Sequence, residues 1–127
     1  MSEWWDLKII ADREEEVRSV LAEVAGLLGI EPLEPQVALY PKFPRMWECR
    51  FEARLRETDP LDACARRFAR LATPSWENRW DNATRPRKRE CYEAFSDARR
   101  HLFAVDHIFW ARVYCEVRAK RNPEQPT

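Results

Sequence analysis

Residues 46–56 alternate between apolar and charged side chains more regularly than any other stretch of the chain. The apolar positions are Trp47, Cys49, Phe51, Ala53 and Leu55, and the charged positions are Glu48, Arg50, Glu52, Arg54 and Arg56. A period of two is typical of a strand with one buried and one solvated face. Such strands occur in antiparallel sheets that helices cover on one side only. The stretch therefore predicts a sheet whose second face is open and charged.

The composition predicts one domain over residues 1–127, with a solvated tail at 119–127. Apolar residues make up 45% of the chain and six residues are Trp, which is enough for a packed core at this length. The 22 basic and 22 acidic side chains balance each other. Because neither sign dominates, the chain is not expected to be a general binder of nucleic acids or membrane surfaces.

The cysteines are widely spaced and form no Cys-x-x-Cys pair. They are Cys49, Cys64, Cys91 and Cys115. The N-terminus shows no signal peptide and no apolar run is long enough to span a membrane, so a reducing, cytoplasmic location is the simpler expectation. In that compartment we expect free, buried thiols that act as small hydrophobic groups. Two disulfides are the alternative that an even number of cysteines allows.

The first third of the chain predicts a strand followed by a helix. Residues 4–11 alternate, and Asp12 with Glu15 forms a capping-box pattern that favours a helix start. Gly29 is expected to end this helix. Its apolar stripe is Val17, Val20, Leu21, Val24, Leu27 and Leu28. Residues 31–35 contain two prolines and are expected to form an irregular connection.

The middle of the chain predicts a hairpin and a second helix. Residues 37–40 form a short strand that pairs with 46–56. Asp59 is the expected N-cap of the helix, and Pro60 occupies its first position, where a missing N–H does no harm. The buried stripe is expected to be Leu61, Cys64, Phe68 and Leu71, and the outward side Arg66, Arg67 and Arg70.

The last third is less regular. Residues 76–80 are predicted as a short strand or an ordered loop. Residues 90–102 fit a helical stripe better than a strand, although 91–95 also suit a strand. Residues 108–118 alternate again, and their buried side is predicted to be Phe109, Ala111, Val113, Cys115 and Val117.

This order of elements predicts an α+β fold. A strand, a helix, two strands, a second helix and then one or more further strands follow the order of a ferredoxin-like split β-α-β sandwich. In that fold two helices cover one face of an antiparallel sheet, and here a C-terminal elaboration is expected to follow.

No motif of a catalytic or metal site is present. Four cysteine and histidine residues lie within a short span: Cys91, His101, His107 and Cys115. Their spacing matches no common zinc pattern, and two glycines are too few for a phosphate-binding or dinucleotide loop. We therefore expect a protein that is not an enzyme and that uses no metal or cofactor. A small enzyme using His107 beside Asp106 is the alternative.

A basic run in the last third consists of Arg85, Arg87, Lys88 and Arg89. Together with nearby Trp residues it is able to contact phosphates and stack bases, so a small nucleic-acid-binding module is an alternative function. The chain lacks the wider basic field of most nucleic-acid readers. A solvated loop, or a docking patch for an acidic protein surface, is the preferred interpretation.

Aromatic residues are predicted on the open sheet face. If the apolar side of 108–118 faces the helices, its other side is Ile108, Trp110, Arg112, Tyr114, Glu116 and Arg118. Trp, Tyr and Arg are enriched in the hot spots of protein interfaces. The predicted partner-binding residues are Trp76, Arg79, Trp80, Glu48, Arg50, Glu52, Trp110, Arg112 and Tyr114. The alternative is that residues 83–105 fold over this face.

Two runs in the C-terminal half are Trp76-Glu-Asn-Arg-Trp-Asp81 and Ile108-Phe-Trp-Ala-Arg112. At these runs the chain resembles small bacterial immunity proteins encoded beside polymorphic or contact-dependent-inhibition toxins. The resemblance implies a cytoplasmic, non-catalytic α+β domain that binds one cognate toxin and neutralises it by blocking its active site. These families diverge quickly, so the resemblance assigns no toxin-contact residue. A stand-alone protein-interaction domain is a further alternative.

Overall fold

In a computed structural model the chain forms six strands and two helices, described over residues 2–54, 58, 60–82 and 89–118. In chain order the elements are β1 (Ser2–Ile10), α1 (Glu14–Leu28), β2 (Leu33–Leu39), β3 (Met46–Arg54), α2 (Pro60–Leu71), β4 (Trp76–Asn82), β5 (Arg89–Asp97) and β6 (Ile108–Arg118).

The six strands form one antiparallel sheet in the order β2-β3-β1-β6-β5-β4. Both helices pack on one face of it, where their buried residues join those of the strands in a single core. The predicted α+β class and antiparallel sheet are confirmed. The ferredoxin-like arrangement has four strands, however, and this sheet has six. The additional hairpin of β4 and β5 precedes β6 in the chain and does not follow it as a C-terminal elaboration.

The alternation that predicts β3 is confirmed by its burial. Cys49, Phe51 and Ala53 are buried beneath the helices, and the charged residues between them face the other way. In the core, the Trp5 ring stacks on Phe51 with 6.3 Å between ring centroids and on Phe68 of α2 with 6.0 Å. These stacked rings hold α2 against the centre of the sheet.

Helix α1 ends as predicted and begins differently. Gly29 adopts the left-handed conformation at φ 65° and closes the helix with a hydrogen bond from its N–H to the Ala25 carbonyl. The predicted N-cap Asp12 is wrong, because the cap position is Arg13 and no side chain caps it. The Asp12 carboxylate instead forms an ion pair with Arg45 at 2.5 Å.

Strand β2 begins earlier than predicted. It includes Pro35, although residues 31–35 were expected to be irregular. Because β2 is an edge strand, a missing N–H on its free side costs no ladder hydrogen bond. The pairing with β3 shifts register between Leu33 and Gln36, and Glu34 between them has a positive φ of 46°.

The helix favoured over residues 90–102 is wrong, since Arg89–Asp97 is strand β5. It pairs with β4 on one side and β6 on the other. Residues 76–80 are predicted as a short strand or an ordered loop, and the structure shows a strand. In β6 the bulge opposite Lys8 and Ile9 turns Ile108 into the core, whereas the alternation placed it on the open face. Phe109 is only partly buried.

Arg67 is buried in the core and does not point outward as predicted. Its guanidinium donates to the Glu3 carboxylate, with Nε–Oε2 and Nη2–Oε2 distances of 3.0 and 2.5 Å. The Trp5 indole donates to Glu3 Oε1 at 3.1 Å. An ion pair therefore lies between β1 and α2, with the Glu3 side chain fully buried. The outward positions of Arg66 and Arg70 are confirmed.

The four cysteines are free and buried, as predicted. Neither α1 nor α2 combines the length and apolar character that crossing a membrane requires. Several predictions fall outside the described residues: the Asp59 cap, Leu55 and Arg56, and the tail at 119–127.

Candidate partner-binding face

The side of the sheet away from the helices carries the even-numbered residues of β1, β3 and β4, residues 110, 112, 114 and 116 of β6, and the odd-numbered residues of β5. We call this side the open face. It follows from the pairing register, because Trp4 lies opposite Tyr114 and Glu52, while Trp5 lies opposite Val113 and Phe51 in the core. The described residues include aromatic rings and charges of both signs on this face.

A first aromatic row crosses four strands of the open face. Trp76 stacks on Phe95 at 5.5 Å, and Phe95 on Trp110 at 6.5 Å between ring centroids. The Lys8 ammonium continues the row, lying 3.8 Å from the Trp110 ring and 5.1 Å from that of Tyr40. These contacts fix the large rings in place, so little conformational entropy is left to lose when a partner binds.

A second aromatic row runs beside the first. Tyr114 contacts Trp80 at 6.2 Å and Trp4 at 5.7 Å between ring centroids. Its hydroxyl donates to Glu116 at 2.8 Å. Trp4 remains 42% exposed despite this packing. Exposed Trp next to Tyr is an unusual composition for a surface that contacts only solvent.

Alternating charges lie among the two rows. Arg112 donates to Glu93 at 2.7 Å, and Arg50 lies 2.7 Å from Glu48 and 3.4 Å from Asp6. The side chains of Arg112 and Arg50 are 44% and 62% exposed. Exposed ion pairs contribute little to stability, so a partner is able to exchange them for its own contacts.

A groove of about 450 Å³ lies on the open face where β1, β2, β3 and β6 meet. Asp6 lies in its floor, and its carboxylate oxygen Oδ1 is buried without a hydrogen-bond partner among the described residues. Burial raises the pKa of Asp6, because desolvation outweighs the nearby positive charges of Lys8, Arg50 and Arg112. This carboxylate would be stabilised by one more hydrogen-bond donor.

The structure brings together most of the predicted partner-binding residues. Eight lie on the open face: Trp76, Trp80, Glu48, Arg50, Glu52, Trp110, Arg112 and Tyr114. Arg79 does not. It pairs in register with the buried Tyr92, so it faces the helix side, where it forms an ion pair with Asp62 of α2.

The basic run is only partly described. Arg85, Arg87 and Lys88 lie outside the described residues. Arg89 lies at the start of β5 and forms an ion pair with Glu116. Of this run, the structure therefore shows one cation, and that cation is neutralised by a carboxylate of β6.

Among the open-face residues that were not predicted as partner-binding residues, four belong to the aromatic rows or the groove: Trp4, Asp6, Lys8 and Phe95. Trp4, Asp6 and Lys8 alternate with the core residues of β1, so the sequence alone is enough to assign them to the face opposite the core. Phe95 was hidden because its strand was interpreted as a helix. The pairing of β5 with β6 is what carries it into the first aromatic row.

His107 has a backbone role at the start of β6, and Cys49 is a buried thiol. His107 precedes β6 with a positive φ of 74°, and its carbonyl accepts the Ile10 N–H at 2.8 Å. Burial raises the pKa of Cys49 to about 11, which leaves the thiol protonated at neutral pH. Within the part of the chain that the structure describes, no three Cys, His, Asp or Glu side chains come close enough to hold a metal ion.

No protein-family model, no curated protein and no solved structure matches this chain.

Proposed function

We propose that this chain is a non-catalytic, cytoplasmic binding protein of the immunity type, which docks its open face on a cognate bacterial toxin and occludes the toxin's active site. The observation that carries the proposal is the concentration of Trp, Tyr and Arg on one rigid sheet face. Hot spots of protein interfaces are rich in these residue types. The resemblance at residues 76–81 and 108–112 supplies the class of partner.

The size of the open face suits a protein partner. Five interstrand spacings of about 4.8 Å make the sheet about 24 Å wide, and a strand of nine residues is about 30 Å long. The product is about 700 Å², close to the roughly 800 Å² that one partner buries in an interface of standard size. A single sheet face is therefore large enough to block an active site.

The charge pattern favours a protein over a nucleic acid. Carboxylates of Asp6, Glu48, Glu93 and Glu116 alternate with the guanidiniums across the open face. A phosphate backbone would be repelled by these carboxylates, whereas a protein surface is able to present matching charges of both signs.

We also infer a ferredoxin-like origin for the sheet. Without β4 and β5, the chain order is strand, helix, strand, strand, helix, strand, and the sheet order is β2-β3-β1-β6. Under this interpretation the hairpin is an addition that widens the open face by two strands. It contributes Trp76, Trp80 and Phe95, which supports a role of the hairpin in binding.

Co-expression with the product of the adjacent reading frame tests the proposal. We expect that product to arrest growth when it is made alone. The wild-type chain should restore growth, and the two proteins should co-purify in a defined ratio. A neighbouring product that is harmless, or that does not co-purify with this chain, would contradict the proposed function.

A further inference from the structure

The groove on the open face has walls of a definite chemistry. Trp4 and Tyr114 line it with rings 5.7 Å apart, and Leu33 of the edge strand β2 also lines it. Its volume of about 450 Å³ falls within the range of pockets that bind small ligands. It is therefore able to accept one long side chain of a partner together with part of that partner's backbone.

The charges of the groove favour a cation. Asp6, Glu34 and Glu52 line it, against Arg50 and Arg112. Each guanidinium has a carboxylate partner outside the groove, since Arg50 pairs with Glu48 and Arg112 with Glu93, each at 2.7 Å, and Arg50 also lies 3.4 Å from Asp6. The lining that is left for a ligand is negative, so an anion would be repelled.

Within the described part of the chain, Asp6 is the carboxylate of the groove that has a buried, unused hydrogen-bond acceptor. Its Oδ1 is buried and has no hydrogen-bond partner among the residues that the structure describes. Native proteins rarely leave a buried polar oxygen unpaired. A donor reaches Oδ1 only after a neighbouring side chain moves. Arg50 Nε lies 3.4 Å from the other oxygen of this carboxylate, Oδ2, and the Arg50 side chain is 62% exposed, so it is able to turn aside.

We propose that the groove receives an arginine side chain of the partner protein, whose guanidinium donates to Asp6 and lies against the rings of Trp4 and Tyr114. The inference rests on the proposed function and names the residue type that it recognises. Arginine fits better than lysine, because its planar guanidinium stacks on aromatic rings, matches a carboxylate with two donors and is less strongly hydrated.

The test uses N-acetyl-arginine amide as the probe and the intact chain as the receptor. We expect saturable shifts of the Trp4 indole and Tyr114 ring signals in NMR spectra, with a Kd in the millimolar range. N-acetyl-citrulline amide has nearly the same shape and no charge, and it should bind at least about tenfold more weakly. No saturable shift, or equal affinity for the two amides, would overturn the assignment.

Asp6→Asn removes the charge that the groove offers. This variant should bind the arginine amide at least about tenfold more weakly than the wild type. The matched control is Asp12→Asn, which removes an exposed carboxylate beyond the end of β1 and should leave the affinity unchanged. Unchanged affinity in a folded Asp6→Asn variant would overturn the inference.

The arginine-amide experiment and the toxin-capture experiment are able to fail independently of each other. A chain that binds the arginine amide selectively but captures no toxin would overturn the proposed function and support the ligand class of the groove. A chain that captures a toxin but does not distinguish arginine from citrulline would overturn the groove assignment alone.

Discussion

Replacing Arg67 with alanine is expected to lower the free energy of unfolding by about 3–5 kcal/mol, the usual cost of leaving a buried charge without its partner. The Glu3 side chain is fully buried and that of Arg67 is 9% exposed. Without the guanidinium, the buried carboxylate keeps the hydrogen bond from the Trp5 indole but has no positive charge beside it. Urea unfolding followed by Trp fluorescence measures the loss.

Two control variants make this result specific. Arg66→Ala removes the neighbouring arginine, which is exposed on the same helix, and should change stability by less than about 0.5 kcal/mol. Glu3→Gln combined with Arg67→Met removes both charges and keeps an acceptor for the indole, so it should recover part of the loss. Equal stability of the Arg67→Ala and Arg66→Ala variants would show that the pair is solvated in solution.

Replacing Trp110 with alanine is expected to weaken binding of the partner by about 30-fold or more, the size of effect that defines a hot spot. Trp110 lies within the first aromatic row, between Phe95 and the Lys8 ammonium. Its removal takes away contact area and releases both neighbours. Isothermal titration calorimetry with the co-purified partner measures the effect.

The control for this prediction is Leu27→Ala. Leu27 is a large apolar residue that is 40% exposed on α1, so its truncation removes a similar kind of surface from the opposite side of the molecule. We expect its affinity for the partner to stay within about threefold of the wild type, since residues outside an interface have little effect on binding. Equal loss in both variants would place the interface elsewhere.

Strand β3 was predictable because one of its faces is dry and the other is charged. Strand β5 was not, because both of its faces carry apolar groups: Tyr92 and Ala94 pack in the core, while Cys91 and Phe95 lie on the open face. A strand inside a sheet and apolar on both sides loses the alternation that identifies it. The same residues then fit a helical stripe.

The ion pair of Glu3 and Arg67 shows a second kind of feature that the periodicity of the sequence does not predict. An acid in the dry register of β1 and a base beside the apolar stripe of α2 are each visible in the sequence. Their pairing is not, because it joins residues 64 positions apart that meet only when α2 packs on the sheet. Periodicity reports which side a residue faces within its own element and says nothing about the element across from it.

The candidate site was predictable where the alternation of side chains along one strand is enough to assign each residue to a face. Trp110, Arg112 and Tyr114 follow from the alternation of β6. The prediction for Arg79 is wrong because it rests on nearness in sequence to Trp76 and Trp80. Arg79 has an odd number and they have even numbers, so its side chain lies on the other face of β4. The groove could not be predicted, since it depends on the order of β2, β3, β1 and β6 in the sheet.

We infer that the partner binds to the open face and not to the helical side. A comparison of dissociation constants between two pairs of substitutions of the same kind distinguishes the two surfaces. The open-face pair is Arg50→Glu with Trp110→Ala, and the helix-face pair is Arg18→Glu with Leu27→Ala, both Arg18 and Leu27 being exposed on α1.

We predict that both paired variants fold, as judged by thermal unfolding. The open-face pair should lose affinity for the partner by at least about 100-fold, while the helix-face pair should stay within about threefold of the wild type. The reverse pattern, or an open-face pair that binds like the wild type, would show that the open face is not the binding surface.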